Sequence, residues 1–177
     1  ALTAALARLD AAGEAPDLIV SLGSLLADTP HTRPITVSAT TSHPSIANRL
    51  GVSVSKYEGP TGILGIIQDG CMRRGIDAIS LWAAVPHYVS NAPSPKATLD
   101  LINTLEEFLN IKIPLSDLPD KSDLWEREVN DLAADDSEIA DYVKALEESK
   151  DAAELPEVSG DTIAKEFERY LRRQQED

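Results

Sequence analysis

The run Ile76 to Val85 is almost entirely apolar and is halted by Pro86, so it reads as a strand buried on both faces. A strand covered on two sides requires a layer of structure above and below it, and this constrains the fold more than any other stretch. A second run of this kind lies at Asp17 to Leu22, where Leu18, Ile19 and Val20 are consecutive and Gly23 closes the segment. Ile35, Val37 and Ala39 alternate with Thr36, Ser38 and Thr40, the period of a half-buried strand. Helix-forming stretches stand between the strands. Residues 2–12 carry Leu2, Leu6 and Leu9 among alanines and end at Gly13. Pro44 to Leu50 has Ser42 or His43 near its cap and Gly51 after its end. Strands alternating with helices predict a layered α/β domain with a largely parallel sheet over residues 1–116.

The stretch from Lys56 to Gly65 organises the middle of the chain. Gly59, Pro60 and Gly62 form a turn that feeds a helix running to about Arg74 and stopping at Gly75. Pro60 suits a first helical position, where its missing N–H would be unpaired in any case. Ile63, Ile66 and Ile67, spaced i, i+3 and i+4, predict the inward face of this helix. Gly65 and Gly70 each cost about 1 kcal/mol relative to alanine inside a helix, which predicts that its backbone packs closely against the sheet. Such a turn leaves backbone N–H groups pointing out of a helix N-terminus, where an anion is favoured. A tight structural turn is the competing explanation. Cys71 lies beside the apolar face and is expected to be a small core residue. Further on, Ser94 and Pro95 open a helix with Leu101, Ile102, Leu105, Phe108 and Leu109 on one face.

From Asp117 the composition changes. Residues 1–114 hold 10 acidic and 8 basic side chains, a net charge of −2, whereas residues 115–177 hold 20 and 8, a net charge of −12. Trp125, Val129, Leu132, Ile139, Val143 and Leu146 keep a spacing of alternating fours and threes, with Asp136 in the one missing place. The cap-forming residues Asp135, Asp136 and Ser137 predict two helices broken near Ala134–Ser137 and not one long coiled-coil helix. A last helix is expected over residues 159–173, with Ile163, Phe167, Tyr170 and Leu171 inward. Residues 117–177 are therefore expected to form an acidic helical appendage, docked through its apolar stripes on the α/β domain or on a neighbouring subunit.

An acidic half of this kind argues against nucleic acid, which requires a basic footprint, and against anionic membrane surfaces. No run of about 18 apolar residues offers a transmembrane helix. The single Cys71 forms no internal disulfide and offers no metal-cluster spacing, so no metal or cofactor is expected. A cytoplasmic location fits these features. The chain begins without Met in helical sequence, which predicts a processed or truncated piece.

In an open α/β sheet, ligands bind beyond the carboxyl ends of the strands. Three segments are expected to converge there: Gly23 to Arg33, Tyr57 to Thr61, and His87 to Asn91. They bring His31, Thr32, Arg33, Glu58, Gly59, Thr61, Gly62, His87 and Tyr88 to a candidate cleft or anion-binding site. A histidine, a glutamate and an arginine beside an anion-favouring turn would support acid–base or phosphorolytic chemistry on a small anionic or nucleoside-like substrate. The alternative is that these side chains only position loops. No Gly-x-Ser-x-Gly elbow, P-loop, zinc pattern or dinucleotide fingerprint is present, and Ser24 lacks the second glycine of a nucleophile elbow.

The blocks SLGSLLADTPHTRPITVSAT, YEGPTGILGIIQDGCMRRGI and SLWAAVPHYVSNAPSPKATLDLI resemble the bacterial branch of the proteasome assembly chaperone family, the one named for the second chaperone subunit. The stretch ELPEVSGDTIAKEFERYLRR is similar to the end of those bacterial proteins. The resemblance implies a three-layer α/β/α fold like that of nucleoside phosphorylases and peptidyl-tRNA hydrolases, with assembly into oligomers. It implies a longer chain with a further N-terminal α/β portion. It also implies an assembly factor that works through protein-binding surfaces without established catalysis, although ligase-like activity has been attached to bacterial members by analogy. The resemblance carries no catalytic residues over to this chain.

Overall fold

The computed structural model describes residues 13, 16–59, 62–89 and 93–154. Four strands form one sheet: β1 (Leu18–Ala27), β2 (Val37–Thr41), β3 (Ser53–Val54) and β4 (Asp77–Pro86), in the spatial order β1-β4-β2-β3. β1 and β4 run parallel throughout, with Leu18 opposite Asp77 and Ala27 opposite Pro86. β2 runs parallel to β3 and antiparallel to β4, with Val37 opposite Ala83. The described helices are α1 (Pro44–Leu50), α2 (Ile63–Met72), α3 (Pro95–Leu109), α4 (Leu118–Ala134) and α5 (Ser137–Glu154).

Successive side chains of a strand point to opposite faces, and β4 shows how this builds the layers. Ile79 and Leu81 are wholly buried against Ile46 of α1 and against Leu101, Leu105 and Phe108 of α3. Ala83 follows on the same face, packed with Ile35 and Ala97. On the other face Ala78 meets Cys71 and Ile67 of α2, and Gln68 Nε2 donates to Ser80 Oγ at 3.0 Å. The result is a three-layer α/β/α arrangement around a mostly parallel sheet, with β4 in its centre as the apolar run requires. Cys71 is part of the core, where burial raises its thiol pKa.

β1 departs from expectation. It does not stop at Gly23 but continues to Ala27, and it pairs only with β4 among the described residues. As an edge strand it is half-buried, with Leu22, Leu25 and Leu26 exposed. An apolar run states which residues tolerate burial, not whether a neighbouring strand supplies it. Gly23 accommodates the ring of Trp82 within the strand: a Cβ there would lie 2.7 Å from Trp82 Cζ3. β3, with two residues, is too short to be read from periodicity.

α2 is rotated from its expected orientation. Gly62 is its N-cap and Ile63 its first residue, so the helix begins later than a first turn at Pro60 would place it. Ile63 and Ile66 are 67% and 57% exposed, while Ile67, Gln68 and Cys71 face the sheet. Nor do the helix glycines mark close packing, since Gly65 is exposed and a Cβ on Gly70 would meet no atom within 4 Å. α1 and α3 start as expected. His43 precedes Pro44, and the Ser94 side chain accepts from Ala97 N ahead of Pro95. Along α3, Leu101, Leu105 and Phe108 turn inward, but Leu109 lies at the exposed end.

The described part of the acidic segment forms two helices, as the Asp135–Ser137 break predicts. Asp136 Oδ1 accepts from the N–H groups of Glu138 and Ile139, which caps α5. α4 packs along α3. Its buried residues are Ser122, Trp125, Val129 and Ala133, while Leu132 is 60% exposed. The expected stripe drifts because a spacing of fours and threes follows a supercoiled helix, whereas a straight helix holds one face with more frequent fours. In α5, Val143 is buried and Ile139 and Leu146 are half-buried. The helices expected over residues 2–12 and 159–173 lie outside the described residues.

Candidate functional site

β1 and β4 end side by side at Ala27 and Pro86. The two loops that follow, residues 28–36 and 87–89, therefore meet, as the parallel pairing of their strands demands. The third segment leaves from elsewhere. Because β2 is antiparallel to β4, β3 runs toward the amino ends of β1 and β4, and the Tyr57–Gly59 segment departs from there. Tyr57, Glu58 and Gly59 are exposed, and among the described residues no hydrogen bond or ion pair joins Glu58 to the other two loops. Gly62 caps α2 without a side-chain bond, and Thr61 lies outside the described residues.

His31 is the centre of the two loops that do meet, and it is 1% exposed. Its backbone N–H donates to Tyr88 Oη at 2.8 Å, and its Nδ1 lies 2.7 Å from the same oxygen. Its Nε2 lies 3.1 Å from Asn130 Oδ1, on α4. The Asn130 oxygen only accepts, so Nε2 carries the proton and Nδ1 accepts from the Tyr88 hydroxyl. The neutral ring is fully satisfied. Burial, the largest influence, lowers the His31 pKa from its ordinary value. Burial likewise pushes the Tyr88 hydroxyl up to about 12.

The rest of this loop is tied to the helical hairpin. Lys96, at the start of α3, donates from Nζ to the His31 carbonyl and to Glu126 Oε2 of α4, each at 2.5 Å. Arg33 makes a two-pronged contact with Asp151 of α5, at 2.9 and 2.8 Å, and reaches Glu147 at 3.2 Å. The Arg33 guanidinium holds the Asp151 carboxyl below its usual range. Thr32 Oγ1 donates to Glu147, and Lys150 Nζ donates to the Pro34 carbonyl. On the outer side, Tyr142 Oη donates to Asp28 Oδ1 at 3.1 Å, and His87 Nδ1 lies at the same distance from that oxygen. The rings of His31, Tyr88, His87 and Tyr142 meet edge to face with centroids 5.5–5.9 Å apart.

Of the residues expected in the cleft, the structure thus brings together His31, Thr32, Arg33, His87 and Tyr88. It places Glu58 and Gly59 apart from them. In this arrangement both ring nitrogens of His31 and the Arg33 guanidinium are occupied by protein partners. Two grooves border the region: one of about 390 Å³ along α4 at Asp123, Glu126, Arg127 and Asn130, and one of about 250 Å³ between the β1 edge and the start of α3, at Leu22, Ser24, Val85, Ala97 and Leu101. Among the described residues no group of three His, Cys, Asp or Glu side chains is placed to hold a metal, and no helix is long and apolar enough to cross a membrane.

Sequence reasoning missed Lys96, Glu126, Asn130, Tyr142, Glu147 and Asp151. One signal for Lys96 was available: a cation in the first turn of a helix opposes the dipole, so it calls for a partner elsewhere. The pairs Glu126/Asn130 and Glu147/Asp151 are spaced i, i+4 and share a helix face, but acidic residues are too frequent here for that spacing to single them out.

Residues 11–133 match the PAC2 family. A PAC2 family protein from Streptomyces avermitilis is 51% identical, with a TM-score of 0.68 over 79% of this chain and 58% of that one. A Mycobacterium tuberculosis proteasome-assembly chaperone homologue is 47% identical, with a TM-score of 0.66 over the same shares. A Corynebacterium glutamicum protein of unknown function is 25% identical, with a TM-score of 0.72 over 86% of this chain and 56% of that one. No curated protein matches. The chain spans less than two thirds of the length of these structures. With 123 of its 177 residues matched, the chain belongs to the PAC2 family.

Proposed function

We propose that this chain belongs to a protein-binding assembly factor acting through its surfaces, with proteasome subunits as the client class and self-association into an oligomer. The observation that carries this reading is the 47% identity, over 79% of the chain, to a protein described as a proteasome-assembly chaperone homologue. The site supports it. The side chains best suited to catalysis join the strand ends to the hairpin, and the large apolar side chains Ile63 and Ile66 stand exposed on α2. The reading extends to residues 1–116 as an α/β domain continued by an upstream portion, residues 117–177 as its appendage, and a cytoplasmic setting.

Size exclusion with light scattering, alone and with purified proteasome α-subunits of the same organism, tests the proposal. A co-eluting complex is expected; a monomer that retains no proteasome subunit overturns it. A thermal-shift screen of phosphate, nucleosides and nucleotides separates it from an enzyme of small anionic substrates. A ligand present at 100 times its dissociation constant adds about 2.7 kcal/mol of stability, and such a shift would favour the enzyme.

A further inference from the structure

We propose that His31 is an acid-sensitive latch, whose protonation releases the α4–α5 hairpin from the carboxyl end of the sheet. The geometry carries this. The ring is enclosed, and each nitrogen has one role in a single neutral tautomer: Nε2–H donates to Asn130 Oδ1 and Nδ1 accepts from Tyr88 Oη. A second ring proton removes the Nδ1 lone pair. Tyr88 Oη, which already accepts the His31 backbone N–H, then faces a second donor, and its own proton loses its acceptor. A charge is also created where little water can reach it.

The charged groups around the ring come from every element packed on it. Lys96 of α3, bonded to the His31 carbonyl, opposes protonation, whereas Glu126 of α4 and Glu147 of α5 favour it. Both carboxylates are already engaged, Glu126 by Lys96 and Glu147 by Thr32 and Arg33, with Asp151 also on Arg33. Beyond Tyr88 lie Tyr142, Asp28 and His87. The contact of His87 with Asp28 joins the two loops to each other and not to the hairpin. Burial outweighs the two carboxylates at His31 and depresses its basicity.

A histidine whose pKa is held by burial below its ordinary value of 6.5 contributes stability that is fully present above that value and is lost as pH falls toward the lowered one. One linked proton weakens docking by up to about tenfold per pH unit within that window. The loss is local because the bond to Asn130 connects His31 to the hairpin, while β4 is held by a separate apolar core.

Hydrogen exchange on the full chain between about pH 7.5 and about pH 5 is the test, corrected for the intrinsic pH dependence of amide exchange. Protection over residues 118–154 is expected to fall by up to about tenfold per pH unit below neutrality while β4 stays protected. His31→Gln is expected to lose this dependence, and His87→Gln to keep it. Unchanged hairpin protection in the wild type overturns the proposal, as does an equal fall in His31→Gln, which would assign the effect to the carboxylates. Should His31→Gln fail to fold, NMR titration of the wild-type ring decides: His31 must titrate together with the loss of protection, and titration without that loss overturns the latch.

Discussion

The face of the sheet beneath α1 and α3 and the seam beneath the α4–α5 hairpin are both closed interfaces, built from opposite materials. Under α1 and α3 the contacts are continuous and apolar, from Ile46 through Ile79 and Leu81 to Phe108. At the hairpin, the buried Trp125, Val129, Ala133 and Val143 are accompanied by hydrogen bonds and ion pairs from the 28–36 loop and Lys96. Apolar burial is non-directional and scales with area. Polar contacts give little net stability when made, but removing one buried partner leaves the other unsatisfied at substantial cost. The first interface is therefore expected to respond less to salt and pH than the second.

The strongest test of this contrast uses two large-to-small changes. Trp125→Ala is expected to cost about 3–5 kcal/mol, since the indole is 7% exposed. Leu81→Ala, at a wholly buried position, is expected to cost about 2–5 kcal/mol. The distribution matters more than the size. Hydrogen exchange is expected to show loss of protection confined to residues 118–154 for Trp125→Ala and spread across the sheet for Leu81→Ala. A global loss for both would mean that the two interfaces are one cooperative unit.

Next in size is the buried cation. Glu126→Ala leaves Lys96 Nζ with only the His31 carbonyl among its described partners, and is expected to cost about 1–3 kcal/mol by chemical denaturation. Adding Lys96→Met to that variant is expected to recover most of the loss, because a buried ion pair is often no better than an apolar replacement. No recovery would show that Lys96 serves through its bond to the loop carbonyl. The smallest effect is expected from Arg33→Ala, whose contacts with Glu147 and Asp151 are partly exposed. Its stability difference from the wild type is expected to vanish at about 1 M salt, where the screening length is about 3 Å. The Asp151 carboxyl, held low by Arg33, should give up its share of stability only below its ordinary value of 3.8.

Much of the framework was legible because it depends on local chemistry. Pro44 and Gly51, Ser94 with Pro95, and Asp136 mark helix ends through caps and fixed backbone angles that operate within a few residues. The apolar run ending at Pro86 identified β4. The site was legible in part. His31, Arg33 and Tyr88 were expected together because parallel strands of one sheet deliver their following loops to one end. Glu58 was expected with them because a largely parallel sheet was expected to send its loops to one end, but the antiparallel pairing of β2 with β4 sends that segment to the other end.

By itself, then, the sequence determined where most helix caps fall, which runs tolerate burial, and that the acidic segment breaks into separate helices near Asp136. Each of these is a matter of neighbours along the chain. The tertiary structure decided that β1 is an edge strand among the described residues, that α2 turns Ile63 and Ile66 outward, that Asn130, Glu147 and Asp151 meet the 28–36 loop, and that Glu126 meets Lys96. Those contacts join residues about 30 to 118 positions apart, and no local period or propensity encodes which of many acidic side chains a given cation will find.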